Sequence, residues 1–133
     1  MAVDHGFAGQ PEFLTGIEDM ASAVGALVDA APDAIQLTVG QAPLLQGRPG
    51  RDKPALVLRC DTANVYGDRA PDVAFSVLID DPLGQAVRLD AACVVVNLLD
   101  VPGADELRRD CIDNVSRLKR VATRPACRSW SRR

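Results

Sequence analysis

Histidine is almost absent from this 133-residue chain, which carries His5 and no other. There is therefore no second imidazole to share a metal, and Cys60, Cys93, Cys111 and Cys127 are scattered singly, without C-x-x-C pairs. Neither a zinc cluster nor a thioredoxin-type redox pair can be assembled from that set, and no metal or cofactor is expected. The four cysteines read as small buried apolar side chains. No glycine-rich phosphate loop of the G-x-x-x-x-G-K-S/T or G-x-G-x-x-G kind follows an apolar segment, which weighs against nucleotide binding. The longest apolar run, near residues 91–96, is far short of the roughly 20 residues a bilayer span needs, so no membrane segment is expected. The N-terminus has an acid and a histidine where a secretory signal has a basic and then a long apolar stretch, leaving the cytoplasm as the expected compartment.

What is present is the composition of an ordinary soluble domain, with 47% hydrophobic and 25% charged residues, enough to bury one core. The formal charge of -3 conceals an asymmetry. Residues 123–133 hold four arginines and no acid, which leaves 11 bases against 18 acids in residues 1–122. An acidic body argues against a nucleic-acid partner. The tail, ending Arg128-Ser129-Trp130-Ser131-Arg132-Arg133, reads as a basic, disordered end.

Along the chain, apolar segments of two periodicities alternate. Ala2-Val3 leads into Asp4 as a very short strand. Thr15-Gly16-Ile17-Glu18 fits a capping box, so a helix is predicted to begin there and to place Ile17, Met20, Ala21, Val24, Leu27, Val28 and Ala31 on one stripe until Pro32. Residues 34–39 alternate as a two-faced strand ending at Gly40. The Gly- and Pro-bearing residues 41–54 read as a loop with one helical turn at 42–46. Residues 55–60 make a third strand, ending at Asp61-Thr62, and a long loop over 63–73 precedes a short apolar stretch at 75–79. Asp81-Pro82 is a helix start, with Asp as cap and Pro in the first turn. The nearly continuous apolar run 92–99 predicts a strand covered on both faces. After Pro102-Gly103 a last helix sets Leu107, Cys111, Val115 and Leu118 on one face. The resulting order of βα units, about four of them, predicts an α/β fold with parallel strands, either part of a barrel or a doubly wound open sheet.

In both architectures functional groups collect at the carboxyl ends of the strands. Counting in steps of two from Asp4, the inward candidates are Asp4, Thr38 with Gln36, Asp61 with Arg59, and Asn97. Each strand thus offers a polar group near its end. Taken singly, Thr38 and Asp61 are equally well explained by loop hydrogen bonds, and the lone His5 beside a glycine turn by a structural one. Gly47-Arg48-Pro49-Gly50-Arg51 offers an anion contact or, more simply, a solvated loop.

Val3-Asp4-His5-Gly6, Ala34-Ile35-Gln36-Leu37-Thr38-Val39-Gly40 and the segment from Asp81 to Leu98 together resemble the class I aldolases of (β/α)8 fold. These include archaeal-type fructose-bisphosphate aldolase, deoxyribose-phosphate aldolase and related thiolase-like enzymes. The resemblance covers residues 1 to about 120 and implies an incomplete TIM barrel there, followed by the basic tail at 121–133. It implies a lyase that makes or breaks carbon–carbon bonds of phosphorylated sugars or related keto compounds through a lysine Schiff base, without a cofactor. It assigns Asp4 the role of the acid assisting proton transfer, and the strand-end candidates Thr38, Arg59, Asp61 and Asn97, with His5, are expected to contact the substrate beside it. It also implies a homo-oligomer for the full-length family. The chain has only Lys53 and Lys119, and neither matches the family's late-strand nucleophile. With GC-rich codons, residues 126–132 back-translate in a shifted frame to Met-Pro-Leu-Met-Val-Glu-Pro, like the family's fifth strand, so a frameshift is expected near Arg120. The expectation is an N-terminal aldolase fragment, inactive alone. The alternatives are a small flavodoxin-like ligand-binding module and a truncated product without function.

Overall fold

A computed structural model describes residues 1–5, 11–50, 52–65 and 74–123 of the chain. Gly6, Arg51, most of the loop expected at 63–73, and the tail from Arg124 onward, with Cys127 and Trp130, lie outside the described residues.

After a 3-10 turn at Pro11–Leu14, the first helix, α1, spans Met20–Asp29. It starts later than the Thr15 capping box predicts. Gly16 adopts φ +87°, and its N–H donates to Glu18 Oε2 at 2.8 Å, so the Glu18 carboxylate is used in a turn ahead of the helix. Asp19 caps instead, its Oδ1 accepting from the backbone N–H groups of Ala21 and Ser22 at 3.1 and 3.2 Å. A carboxylate satisfies these orphan donors and also complements the positive end of the helix dipole. Val24 is fully buried, with Met20, Leu27 and Val28 packed around it, so the predicted apolar stripe holds in the helix except at Ala21, which is exposed.

Strand β1, Ala34–Thr38, follows, then α2, Ala42–Gln46, at the place expected for a helical turn. Strand β2, Ala55–Arg59, pairs in parallel with β1 from Ala34↔Ala55 to Thr38↔Arg59. At Cys60 the chain changes sheet. The Cys60 N–H donates to Val95 O at 2.9 Å in the parallel sheet, while its carbonyl accepts from Ile79 N–H at 3.0 Å beside the next pair of strands. That pair is an antiparallel hairpin of β3, Asp61–Asn64, and β4, Phe75–Leu78, which the sequence reading treated as strand end, loop and isolated apolar stretch. Helix α3, Pro82–Arg88, starts as predicted, with Asp81 accepting from Gly84 N–H at 3.2 Å. Strand β5, Cys93–Val95, pairs in parallel with β2, and α4, Asp105–Ala122, ends the described chain.

The parallel sheet has the order β1-β2-β5. Ala2 forms a parallel bridge to Gln36, so the N-terminal segment lies outside β1. Chain order and spatial order therefore coincide across the sheet, as in the wall of a singly wound barrel. The flavodoxin-like alternative requires a reversal of strand order, and none occurs among the described strands. The antiparallel hairpin corrects the expectation of parallel strands throughout.

The two sheet faces differ. Ile35, Leu37, Leu56 and Leu58 alternate onto one face, where they are buried in a single cluster with Val24 of α1, Ala42 and Leu45 of α2, and Ala86 of α3. Each buried leucine, isoleucine or valine among them contributes roughly 1.5–3 kcal/mol of transfer free energy. The opposite face carries Gln36, Val57, Arg59, Cys93 and Val95, and there Ala55 and Cys93 are exposed. The expectation that the run at 92–99 is covered on both faces is therefore corrected. Only Cys93–Val95 is strand, and no described element covers the Cys93 side. Cys60 and Cys111 are buried as expected, whereas Cys93 is not. On α4 the buried stripe is Leu107, Cys111, Asn114 and Leu118, and Val115, expected to belong to it, is 39% exposed. Among the described residues no helix is long and apolar enough to cross a membrane.

The two candidate caps can be told apart by mutation. Asp19→Ala is expected to lower the urea midpoint, and Thr15→Ala to leave it unchanged. The Asp19 carboxyl is held below its ordinary pKa by the Ser22 hydroxyl and by backbone N–H groups. The wild-type advantage over Asp19→Ala is thus fully present above the ordinary Asp range, and it disappears as pH falls through the lowered folded value. Equal midpoints for the wild type and Asp19→Ala at neutral pH would contradict the assigned cap.

Candidate functional site

Strand alternation brings the candidate residues together. Ala2 is in register with Gln36, so Asp4, two residues on, points to the same face one step further toward the carboxyl end of the sheet. Arg59, the last residue of β2, shares that face. Asp61 lies two residues beyond it, on the same side of the chain once Cys60 has made its turn.

The three side chains meet. Arg59 Nε donates to Asp4 Oδ2 at 2.6 Å, and Arg59 Nη1 donates to Asp61 Oδ1 at 3.1 Å. Asp4, Arg59 and Asp61 are 4%, 7% and 1% exposed. Burying charge is costly unless each group is paired and its remaining polar atoms are hydrogen-bonded, and both conditions are largely met here. Gln36 Nε2 donates to Asp4 Oδ2 at 2.8 Å, and the Asn97 backbone N–H donates to Asp61 Oδ2 at 2.9 Å. Burial works against the charge of Arg59. The hydrogen bond and charge of Asp4, followed by those of Asp61, outweigh it and raise the Arg59 pKa above the ordinary guanidinium value.

The remaining candidates lie around this cluster without joining it. Thr38 is at the end of β1, but its Oγ1 is paired with Gln41 Oε1 at 3.1 Å, which ties strand end to helix start. His5 follows Asp4 and packs edge-on against Phe13, with ring centroids 6.4 Å apart. Its Nδ1 is buried and finds no partner among the described residues, and the same holds for Asn97 Nδ2. Orphaned buried polar atoms are rare, and two flank the ion pairs here. Two buried members of the network escaped the sequence reading, Ser76 of β4 and Asn114 of α4. Ser76 Oγ donates to Asp61 Oδ2 at 3.5 Å, and Asn114 Nδ2 donates to Ser76 Oγ at 3.1 Å. A signal for Asn114 was available, because it falls on the helical stripe through Leu107, Cys111 and Leu118. Ser76 depends on the hairpin and had none.

Neither lysine reaches this end of the sheet. Lys53 precedes β2, at its amino end, and its Nζ donates to the carbonyls of Gln46 and Arg48 at 2.8 and 3.4 Å. Lys119 is exposed on α4. Among the described residues no group of three or more His, Cys, Asp and Glu is placed to hold a metal ion.

The family model described as DeoC/LacD family aldolase matches residues 1–127. No curated protein and no solved structure matches the chain.

Between Arg59 and Asp61, the Cys60 thiol is pushed up to about 11 by burial and by the Asp61 charge, against a smaller opposing effect of Arg59. Thiolate is the reactive form, so at about pH 8 iodoacetamide is expected to alkylate exposed Cys93 in the native protein and to reach Cys60 and Cys111 only in denaturant. Native-state labelling of Cys60 as fast as Cys93, read by peptide mass spectrometry, would contradict this environment.

Proposed function

Because the chain belongs to the DeoC/LacD aldolase family, we propose that the cluster around Asp4 is the acidic corner of a class I aldolase site for phosphorylated sugars or related keto compounds. The observation that carries the proposal is the unequal use of the two Asp4 oxygens. Oδ2 accepts from both Arg59 and Gln36, whereas no described group donates to Oδ1. One oxygen fixes the carboxylate, and the other is left to exchange a proton with a bound molecule. In carbon–carbon cleavage, a hydroxyl loses its proton as the bond to the neighbouring carbon breaks, and a carboxylate oxygen beside that hydroxyl accepts it.

The neighbouring groups fit the carbonyl and hydroxyl end of such a ligand better than its phosphate. Asn97 Nδ2 supplies a donor unused among the described residues, and His5 Nδ1 a donor or acceptor, according to its tautomer, that is likewise unused among them. Arg59 is committed to two carboxylates and is not offered as a phosphate anchor, so in this reading the phosphate is held by other groups. Arg59 and Asp61 shape the site from behind, and Thr38 stabilises the turn beside it.

Schiff-base chemistry needs an amine whose nitrogen attacks the carbonyl carbon with loss of water, creating an iminium that accepts the electron pair of the breaking bond. Lys53 lies at the wrong end of the sheet and Lys119 on a solvent-facing helix surface, so we infer that this chain alone does not complete the reaction.

Two measurements separate the parts of this reading. Borohydride trapping with ketose phosphates is expected to leave the mass of the protein unchanged, and a covalent adduct on Lys53 or Lys119 would overturn the inferred lack of a nucleophile. Titration with the same compounds is expected to move the NMR signals of His5 and the Asn97 side-chain amide, and Asp4→Ala to weaken that response. Binding that leaves both signals in place, or that is indifferent to Asp4→Ala, would overturn the assignment of the site.

A further inference from the structure

Among the described residues, the buried polar and charged side chains are Asp4, Arg59, Asp61, Ser76 and Asn114. They are joined end to end. Asp4 Oδ2 accepts from Arg59 Nε, Arg59 Nη1 donates to Asp61 Oδ1, Asp61 Oδ2 accepts from Ser76 Oγ, and Ser76 Oγ accepts from Asn114 Nδ2. One line of hydrogen bonds thus runs from the N-terminal segment through β2, β3 and β4 to the middle of α4. If burial alone governed α4, position 114 would be apolar like Leu107, Cys111 and Leu118 on the same stripe. An amide there has its desolvation offset only through Ser76, and Ser76 in turn needs an acceptor for its own proton, which Asp61 provides.

We propose that Ser76 and Asn114 are positioning residues of the strand-end site. They hold Asp61 so that the Arg59 guanidinium is fixed at both ends, and through Arg59 they set the orientation of the Asp4 carboxylate. Asp61 has two oxygens with different duties. Oδ1 faces Arg59, and Oδ2 is anchored by Ser76 and by the Asn97 backbone N–H. With Ser76 removed, Oδ2 keeps only the Asn97 contact among the described residues, and with Asn114 removed the Ser76 hydroxyl loses the donor that holds it toward Oδ2, so in either case the Asp61 carboxylate is freer to rotate against Arg59. A guanidinium whose second carboxylate is free to rotate is less firmly oriented, and so is the Asp4 carboxylate it binds, including the oxygen available for proton transfer. The functional meaning of this link rests on the reading of Asp4 given above, but the link itself can be observed without any ligand.

The probe is hydrogen exchange of the Arg59 Nε–H, followed by 15N NMR and assigned by its disappearance in Arg59→Met. In the wild type this proton is buried against Asp4 and is expected to exchange slowly. Ser76→Ala and Asn114→Ala are each expected to speed its exchange about fivefold or more, the order of one lost hydrogen bond. Ser76→Thr, which keeps the hydroxyl, is expected to restore the slow rate. Leu118→Ala loosens the packing of α4 without touching a polar atom, and it is expected to leave the Arg59 rate near that of the wild type. Wild-type exchange in folded Ser76→Ala would overturn the proposal, as would equal acceleration by Leu118→Ala. If Asn114→Ala does not fold, Ser76→Ala against Ser76→Thr decides alone. Failure of ketose phosphates to bind would count against the aldolase reading and leave this exchange result standing.

Discussion

The described structure turns on a single buried guanidinium. Arg59 lies in the interior between two carboxylates from distant parts of the sequence, Asp4 before the first loop and Asp61 after the sheet switch. An arginine of this kind is a liability unless both partners arrive in the right geometry, because an uncompensated charge in that position costs on the order of 3–5 kcal/mol. The fold is organised so that they do arrive. The N-terminal segment must lie in parallel beside β1 to bring Asp4 forward, and the chain must leave the parallel sheet at Cys60 to put Asp61 back over Arg59. Each condition is a backbone arrangement with its own hydrogen bonds, from Gln36 N–H to Met1 O at 2.8 Å in the first case and from Ile79 N–H to Cys60 O at 3.0 Å in the second.

The asymmetry of the parallel sheet gives the cluster its surroundings. The helix-facing side is a dry apolar layer of Ile35, Leu37, Leu56 and Leu58, which has no use for charge. The other side carries Gln36, Arg59 and, past the strand ends, the orphaned Asn97 amide. Parallel sheets are ordinarily buried on both faces, so the exposed Cys93 and Ala55 mark a face that a complete barrel wall would turn inward. The buried polar groups therefore lie on the one face where the helices do not exclude them. The chain belongs to the DeoC/LacD aldolase family, and Lys53 lies at the opposite end of β2 from the Asp4–Arg59–Asp61 cluster.

Much of this was legible in the sequence where the signal was local. Period-two alternation in Ala34–Thr38 and Ala55–Arg59 placed Gln36 and Arg59 on the same side, and the short step from Arg59 to Asp61 predicted that the two would share a direction. The Asp81-Pro82 start of α3 was readable for the same reason, since cap and first turn are adjacent in sequence. What was missed depended on residues far apart. Asp61–Asn64 reads as a strand end and becomes a hairpin only because Phe75–Leu78 returns to pair with it. Ser76 gains its role from that pairing, and Asn114 from packing against it. The misplaced start of α1 is a competition between two good caps, and a positive φ at Gly16 settled it for Asp19. The apolar run at 92–99 misled because composition reports the preference for burial and does not report whether a covering element is there.

The central claim is that Asp4 and Arg59 are coupled partners in the folded chain, and a double-mutant cycle measures that directly. Urea unfolding of the wild type, Asp4→Ala, Arg59→Met and the double variant yields their interaction free energy. A coupling of about 2 kcal/mol or more is predicted for this buried, hydrogen-bonded pair. A coupling below about 0.3 kcal/mol, the additivity expected of sites that do not touch, would contradict the account.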